Sequence, residues 1–191
     1  MIILKYIMIF LVFLISFLIG NLISKKYILR VKELKDFKNA LNIIESKIKF
    51  TYEPLPEIFI QTSKLLSKNI SAMFVQASNN MKSLNAEEAW NKSLEEASTN
   101  LYKEDIENIK NFGKMLGKTD KEGQISQLEL TKTFIEMQIE KAKVEEEKNS
   151  KMYKTLGAII GLAFVIILVW NDPFGDGVKK GHETLVGTRL I

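Results

Sequence analysis

Cysteine is absent from this sequence, so disulfides and thiolate metal sites are excluded, and an intracellular location for the main domain is permitted. Histidine occurs once, as His182 in a polar C-terminal stretch, which removes the commonest acid–base and metal-ligating side chain from any folded core. Arginine is nearly missing. Only Arg30 and Arg189 stand among 27 Lys and Arg residues, so bidentate readout of phosphate and guanine lacks its usual donors. The net charge of +4 divides by region, basic over 25–49 and acidic over 87–107, a dipolar surface and not a nucleic-acid-binding face. No Gly-rich phosphate loop, nucleophile–base–orienter set or His/carboxylate metal spacing is present. These absences argue against an enzyme, against a bound cofactor or metal, and against a nucleic-acid partner. Proline is scarce as well, and none interrupts 119–170.

That stretch organises the rest. Within it an amphipathic, charged helix pattern passes into an apolar run of membrane length, and an unbroken helix over it would reach roughly 75 Å. A second apolar run, 6–23, is interrupted only by Ser16, Gly20 and Asn21, and at about 18 residues it spans a bilayer. It reads as an anchor and not a cleaved signal, because Asn21 and Ile23 occupy the small-residue positions that a cleavage site before Ser24 would need. Lys5 alone precedes it, whereas Lys25, Lys26, Arg30, Lys32, Lys35 and Lys38 follow. Basic flanks stay in the cytoplasm, which places the intervening domain in the cytosol and the N-terminus outside. Lys141, Lys143, Lys148, Lys151 and Lys154 before the second run agree, with Lys179 and Lys180 beyond it.

Between the anchors the periodicity is helical throughout. Ile28, Val31, Leu34, Phe37, Leu41, Ile44 and Ile48 recur at steps of three and four, one face of a helix continuing out of the membrane. Pro54 and Pro56 stop it. Ile58, Phe59, Thr62, Leu65 and Leu66 mark the next helix, and Ile70, Met73, Phe74, Ala77, Met81 and Leu84 the one after. Asn85 with Glu88 starts a short helix that turns Ala89, Trp90 and Leu94 inward. A further helix near 103–116 presents Ile106, Ile109 and Phe112, with Gly117 as a left-handed cap. Glu95, Glu96, Glu104, Asp105 and Glu107 read as a solvated charged surface, the alternative being acid–base chemistry in a membrane-bound hydrolase. Thr119 to Glu122 forms a capping box that opens the organising helix.

That helix has two apolar faces. Ile125, Leu128, Ile135, Ile139 and Ala142 lie on one side, and Leu130, Phe134, Met137 and Val144 on the other. The first suits the core of its own bundle. The second needs further helices of the same domain, the source weighed first, or a partner. Tyr153 and Trp170 bracket the second membrane run, whose Gly157 and Gly161 form a small-xxx-small pattern for packing against the first anchor or a second copy. The expected fold is all-α, an antiparallel bundle of about six helices between N- and C-terminal transmembrane helices. The expected divisions are an anchor over 1–24, a cytosolic bundle over 25–154, a membrane helix over 155–170 and a flexible tail over 171–191.

Three segments resemble a known family. The Pro54-Leu55 turn, Leu116-Gly117-Lys118-Thr119-Asp120, and Glu147-Lys148-Asn149-Ser150-Lys151-Met152-Tyr153-Lys154-Thr155-Leu156-Gly157 leading into Gly161 resemble stage III sporulation protein AB of endospore-forming bacteria, over 3–170. That family is similar to the inner-membrane platform protein of type II secretion and type IV pilus systems, with its six-helix cytoplasmic domain. The resemblance implies a subunit of the channel between mother cell and forespore, seated in the outer forespore membrane on the mother-cell side. It implies a cytosolic secretion-type ATPase of the same operon and other channel subunits as partners. Family members tend to end near the second membrane segment, so 171–191 is an extension without a functional account. A homo-oligomeric membrane-anchored scaffold unrelated to an ATPase is the alternative.

Overall fold

Helix-stopping chemistry sets the element boundaries. The computed structural model describes residues 2–51, 53–114, 116 and 121–170. Helix α1 (Ile2–Phe50) runs into the proline turn. Pro54 then stands as the extended N-cap of α2 (Leu55–Ser63), with Pro56 in its first turn, where a missing N–H breaks no helical bond. α3 (Lys68–Asn80) follows Ser67. α4 (Ala86–Glu96) is capped by Asn85, whose Oδ1 accepts the Glu88 N–H at 2.9 Å. α5 (Lys103–Gly113) and α6 (Lys121–Glu145) complete the bundle, and a π-helical turn, Glu146–Ser150, joins α6 to α7 (Lys151–Trp170). No strand occurs among the described residues, and the fold is an all-α antiparallel bundle flanked by apolar helices. Gly117, Lys118, Thr119, Asp120 and the 171–191 stretch with His182 lie outside the described residues.

The chain forms two compact units, Ser24–Lys151 and Met1–Ile23 with Met152–Ile191. In the first, the C-terminal half of α1 joins α2 to α6 around one core. Trp90 is its centre: fully buried, its ring centroid lies 5.2 Å from Phe74, 5.3 Å from Phe112, 5.6 Å from Phe59 and 6.1 Å from Phe37. Its indole N–H donates to the Ile109 carbonyl at 3.0 Å, which satisfies the polar atom that a buried Trp brings with it. Gly113 is set by this ring. A Cβ there would stand 2.3 Å from Trp90 Cδ1, so no larger residue fits without moving the indole.

Three sequence expectations need correction. The helix expected over 103–116 ends at Gly113 with Lys114 as a right-handed cap, because the residue pressed beneath Trp90 is also a poor helix former. Leu116 is nevertheless buried. Leu65 is 67% exposed, since α2 stops at Ser63 and leaves it in the following turn. Asp105, read as part of a solvated acidic surface, is wholly buried.

In the other unit, the N-terminal part of α1 and α7 pair antiparallel at van der Waals distance. Ser16 Oγ donates to the Gly157 carbonyl at 2.9 Å. A Cβ on Gly20 would lie 2.6 Å from the Tyr153 carbonyl oxygen, and one on Gly161 2.8 Å from Phe13 Cδ2. Small residues are what allow two helix backbones this close. Two helices carry windows long and apolar enough to cross a membrane, and only 17% and 11% of those windows are buried. Core helices of a soluble protein would bury most of that surface.

Candidate partner interface

The second apolar face of α6 follows from its register. At 100° per residue, Leu130, Phe134, Met137 and Val144 fall within an arc of about 80°. Leu128, Thr131, Ile135, Gln138, Ile139 and Ala142 turn into the bundle. The outward four are exposed at 50%, 38%, 49% and 68%. Packing by further helices of the same domain, weighed first from the sequence, is therefore not their role. Lys141 falls in the same arc between Met137 and Val144, so Leu130, Phe134 and Met137 form the continuous apolar patch and Val144 stands beyond a lysine. Exposed apolar patches are candidate interaction surfaces.

Charged pairs also link α6 to its neighbours in the bundle. On the α1 side Lys38 Nζ lies 2.7 Å from Glu136 Oε1, and Lys132 pairs with Glu45. On the α5 side Lys141 reaches Glu104 at 3.1 Å. The hydrogen bond from Lys38 holds the Glu136 carboxyl below the usual carboxylate range. Glu104 is held below it by Gln138 and Lys141, and Glu45 by Lys132 and Lys49.

A buried arginine supplies the deeper attachment. Arg30 Nε donates to Asp105 Oδ2 at 2.8 Å and Nη2 to Asp105 Oδ1 at 3.0 Å, a two-pronged fork. Nη1 donates to Glu145 Oε2 at 2.8 Å, and the guanidinium lies 3.8 Å from the Tyr102 ring centroid, a cation–π contact. Asp105 Oδ2 also accepts the Tyr102 N–H at 2.8 Å. Burial pushes the Tyr102 phenol up, and the Glu145 charge adds to it. One turn along α1, buried Glu33 accepts from Asn69 Nδ2, Asn100 N and Asn100 Nδ2 at 2.7–2.9 Å. These two residues tie α1 to α3, α5, α6 and the 97–102 segment.

Sequence reading took Arg30 only as a topology signal and left Glu33 unremarked. The available signal was register. Arg30 lies four residues before Leu34 and seven before Phe37, and Glu33 four before Phe37, so both fall on the stripe already assigned to the core.

The other residues singled out by sequence are dispersed. Pro54 is exposed and caps α2, and Leu55 packs against the core. Leu116 is buried in the bundle, and Asn149 lies in the π turn. Tyr153, Leu156, Gly157 and Gly161 sit on α7, where the two glycines meet Gly20 and Phe13 of α1. Among the described residues no group of three or more His, Cys, Asp or Glu is placed to hold a metal ion.

A family model described as stage III sporulation protein AB matches residues 5–169. The chain belongs to the stage III sporulation protein AB family. It is 30% identical over 154 residues to stage III sporulation protein AB of Bacillus subtilis (strain 168), covering 78% of this chain and 90% of that one. It also resembles a solved structure of stage III sporulation protein AB with a TM-score of 0.58 and 27% identity, over 63% of this chain and 98% of the other. Stage III sporulation protein AB is named for sporulation and not for a catalysed reaction.

Proposed function

We propose that this member of the stage III sporulation protein AB family is a non-enzymatic platform subunit of the mother cell-to-forespore channel. Its bundle docks a cytosolic secretion-type ATPase, and its two membrane helices link that docking to other channel subunits. The bundle lies in the cytosol and the anchors in the outer forespore membrane, an orientation supported by the lysines flanking both apolar runs.

The observation that carries the reading is the exposed row of Leu130, Phe134, Met137 and Val144 on a helix otherwise fixed on both sides. Apolar anchors with charged side chains among and beside them, here Lys141 paired with Glu104, suit a docking patch. The direct test is co-purification of the full chain with the ATPase of its operon. Met137→Glu is expected to abolish capture while leaving the thermal midpoint unchanged. Phe134→Ala is expected to shift the stability of the chain alone by less than about 1 kcal/mol. A loss of several kcal/mol would mean that Phe134 is a core residue, and capture that survives Met137→Glu would place docking elsewhere.

The homo-oligomeric reading drew on Gly157 and Gly161. Both glycines are in contact with α1 of the same chain, so the feature that motivated self-association is used within one molecule.

A further inference from the structure

Beside the crossing of Gly20 and Gly157, the unit formed by Met1–Ile23 and Met152–Ile191 holds a groove of about 440 Å³. That volume lies inside the range of about 300–1,000 Å³ typical of small-molecule sites. Ile15, Ile19 and Ile23 of α1 and Leu156, Ile160 and Phe164 of α7 line it. Ser16 also lines it, but its hydroxyl proton is committed to the Gly157 carbonyl. The walls therefore select for hydrocarbon. From Val12 to Ile23 the lining covers about 17 Å of helix, close to half of a hydrocarbon core about 30 Å thick. The groove has the depth of one leaflet.

Charge at one end is of a single sign. Exposed Lys154 adjoins Tyr153, which lines the groove at the Gly20 end. No Asp or Glu occurs among the described residues of this unit, 2–23 and 152–170. Such a surface attracts anionic headgroups.

We propose that this groove binds one acyl chain of an anionic phospholipid, whose phosphate sits beside Lys154. The site rests on the reading that both apolar runs lie in a bilayer. A partner's transmembrane helix is the poorer occupant, because a cylinder about 10 Å across over the same depth fills on the order of 1,300 Å³.

The test uses the full chain in mild detergent, incubated with phosphatidylglycerol or phosphatidylcholine of identical acyl composition and read by native mass spectrometry. One phosphatidylglycerol is expected to remain bound, about fivefold in preference to phosphatidylcholine. Lys154→Gln, at an exposed position, is expected to remove that preference. Ile160→Trp is expected to fill the groove and cut retention of both lipids at least tenfold. Equal retention of the two lipids, binding of many lipids without saturation, or full retention by a helical Ile160→Trp protein would each overturn the site. Release of the chain from membranes by alkaline wash would instead overturn the bilayer reading on which it rests.

Discussion

Arg30 is a cation enclosed by a bundle, and its stability contribution depends on the two-pronged contact with Asp105. Both side chains are almost wholly removed from solvent, so deleting one partner strands a buried charge, which costs about 3–5 kcal/mol. Asp105→Ala is therefore expected to lower the unfolding free energy of the full chain in detergent by about that amount, measured by urea denaturation. Arg30→Lys should recover little, since an ammonium group cannot supply the fork to Oδ1 and Oδ2 together with a third bond to Glu145. Gly113→Ala is a second residue-scale test. The added methyl would overlap an indole packed among four other aromatic rings, and overpacking of this kind costs about 1–3 kcal/mol. A neutral Gly113→Ala would mean that the ring has room to shift.

At the scale of elements, pH acts through the pairs that fix α6 against α1. Glu45 is held below the ordinary carboxylate range by hydrogen bonds from Lys132 and Lys49. Its contribution is complete above the unfolded value, about 4.3, and disappears as pH falls through the lower folded value. The thermal midpoint is expected to stay level from pH 7 to 5 and to drop below about pH 4, with a shallower drop in Glu45→Gln. An equal drop in that variant would assign the acid sensitivity to other carboxylates.

Helices were legible because apolar periodicity, prolines and Asn85 are local signals. The second face of α6 was legible too, since Leu130, Phe134 and Met137 share it by arithmetic alone, but its exposure was not, because spacing does not show whether another helix covers a face. Asp105 was not legible. Local spacing cannot show that its partner stands 75 positions earlier, and acidic neighbours made it look solvated. Gly113 was missed for the same reason, because its requirement comes from a ring on another helix. The turn at Glu146–Ser150 lies in the charged stretch before the second apolar run, which sequence reads as plain α-helix; its π geometry leaves the segment helical, with no break among the described residues from Lys121 to Trp170.

For the whole molecule, the division into Ser24–Lys151 and Met1–Ile23 with Met152–Ile191 separates two kinds of surface. One unit buries aromatic rings, a guanidinium and two carboxylates; the other pairs apolar helices through Ser16 and small residues. Denaturant is expected to act on the first at moderate concentration, whereas detergent exchange acts on the second. Each unit also contains one of the chain's two tryptophans: Trp90 without solvent exposure in the first, Trp170 at 89% in the second. The protein thus carries its own pair of optical reporters. Trp170→Phe leaves emission from Trp90 alone, which should shift to the red only when the bundle opens. The difference between that spectrum and the unaltered chain's isolates Trp170, a probe of lipid contact that needs no attached dye.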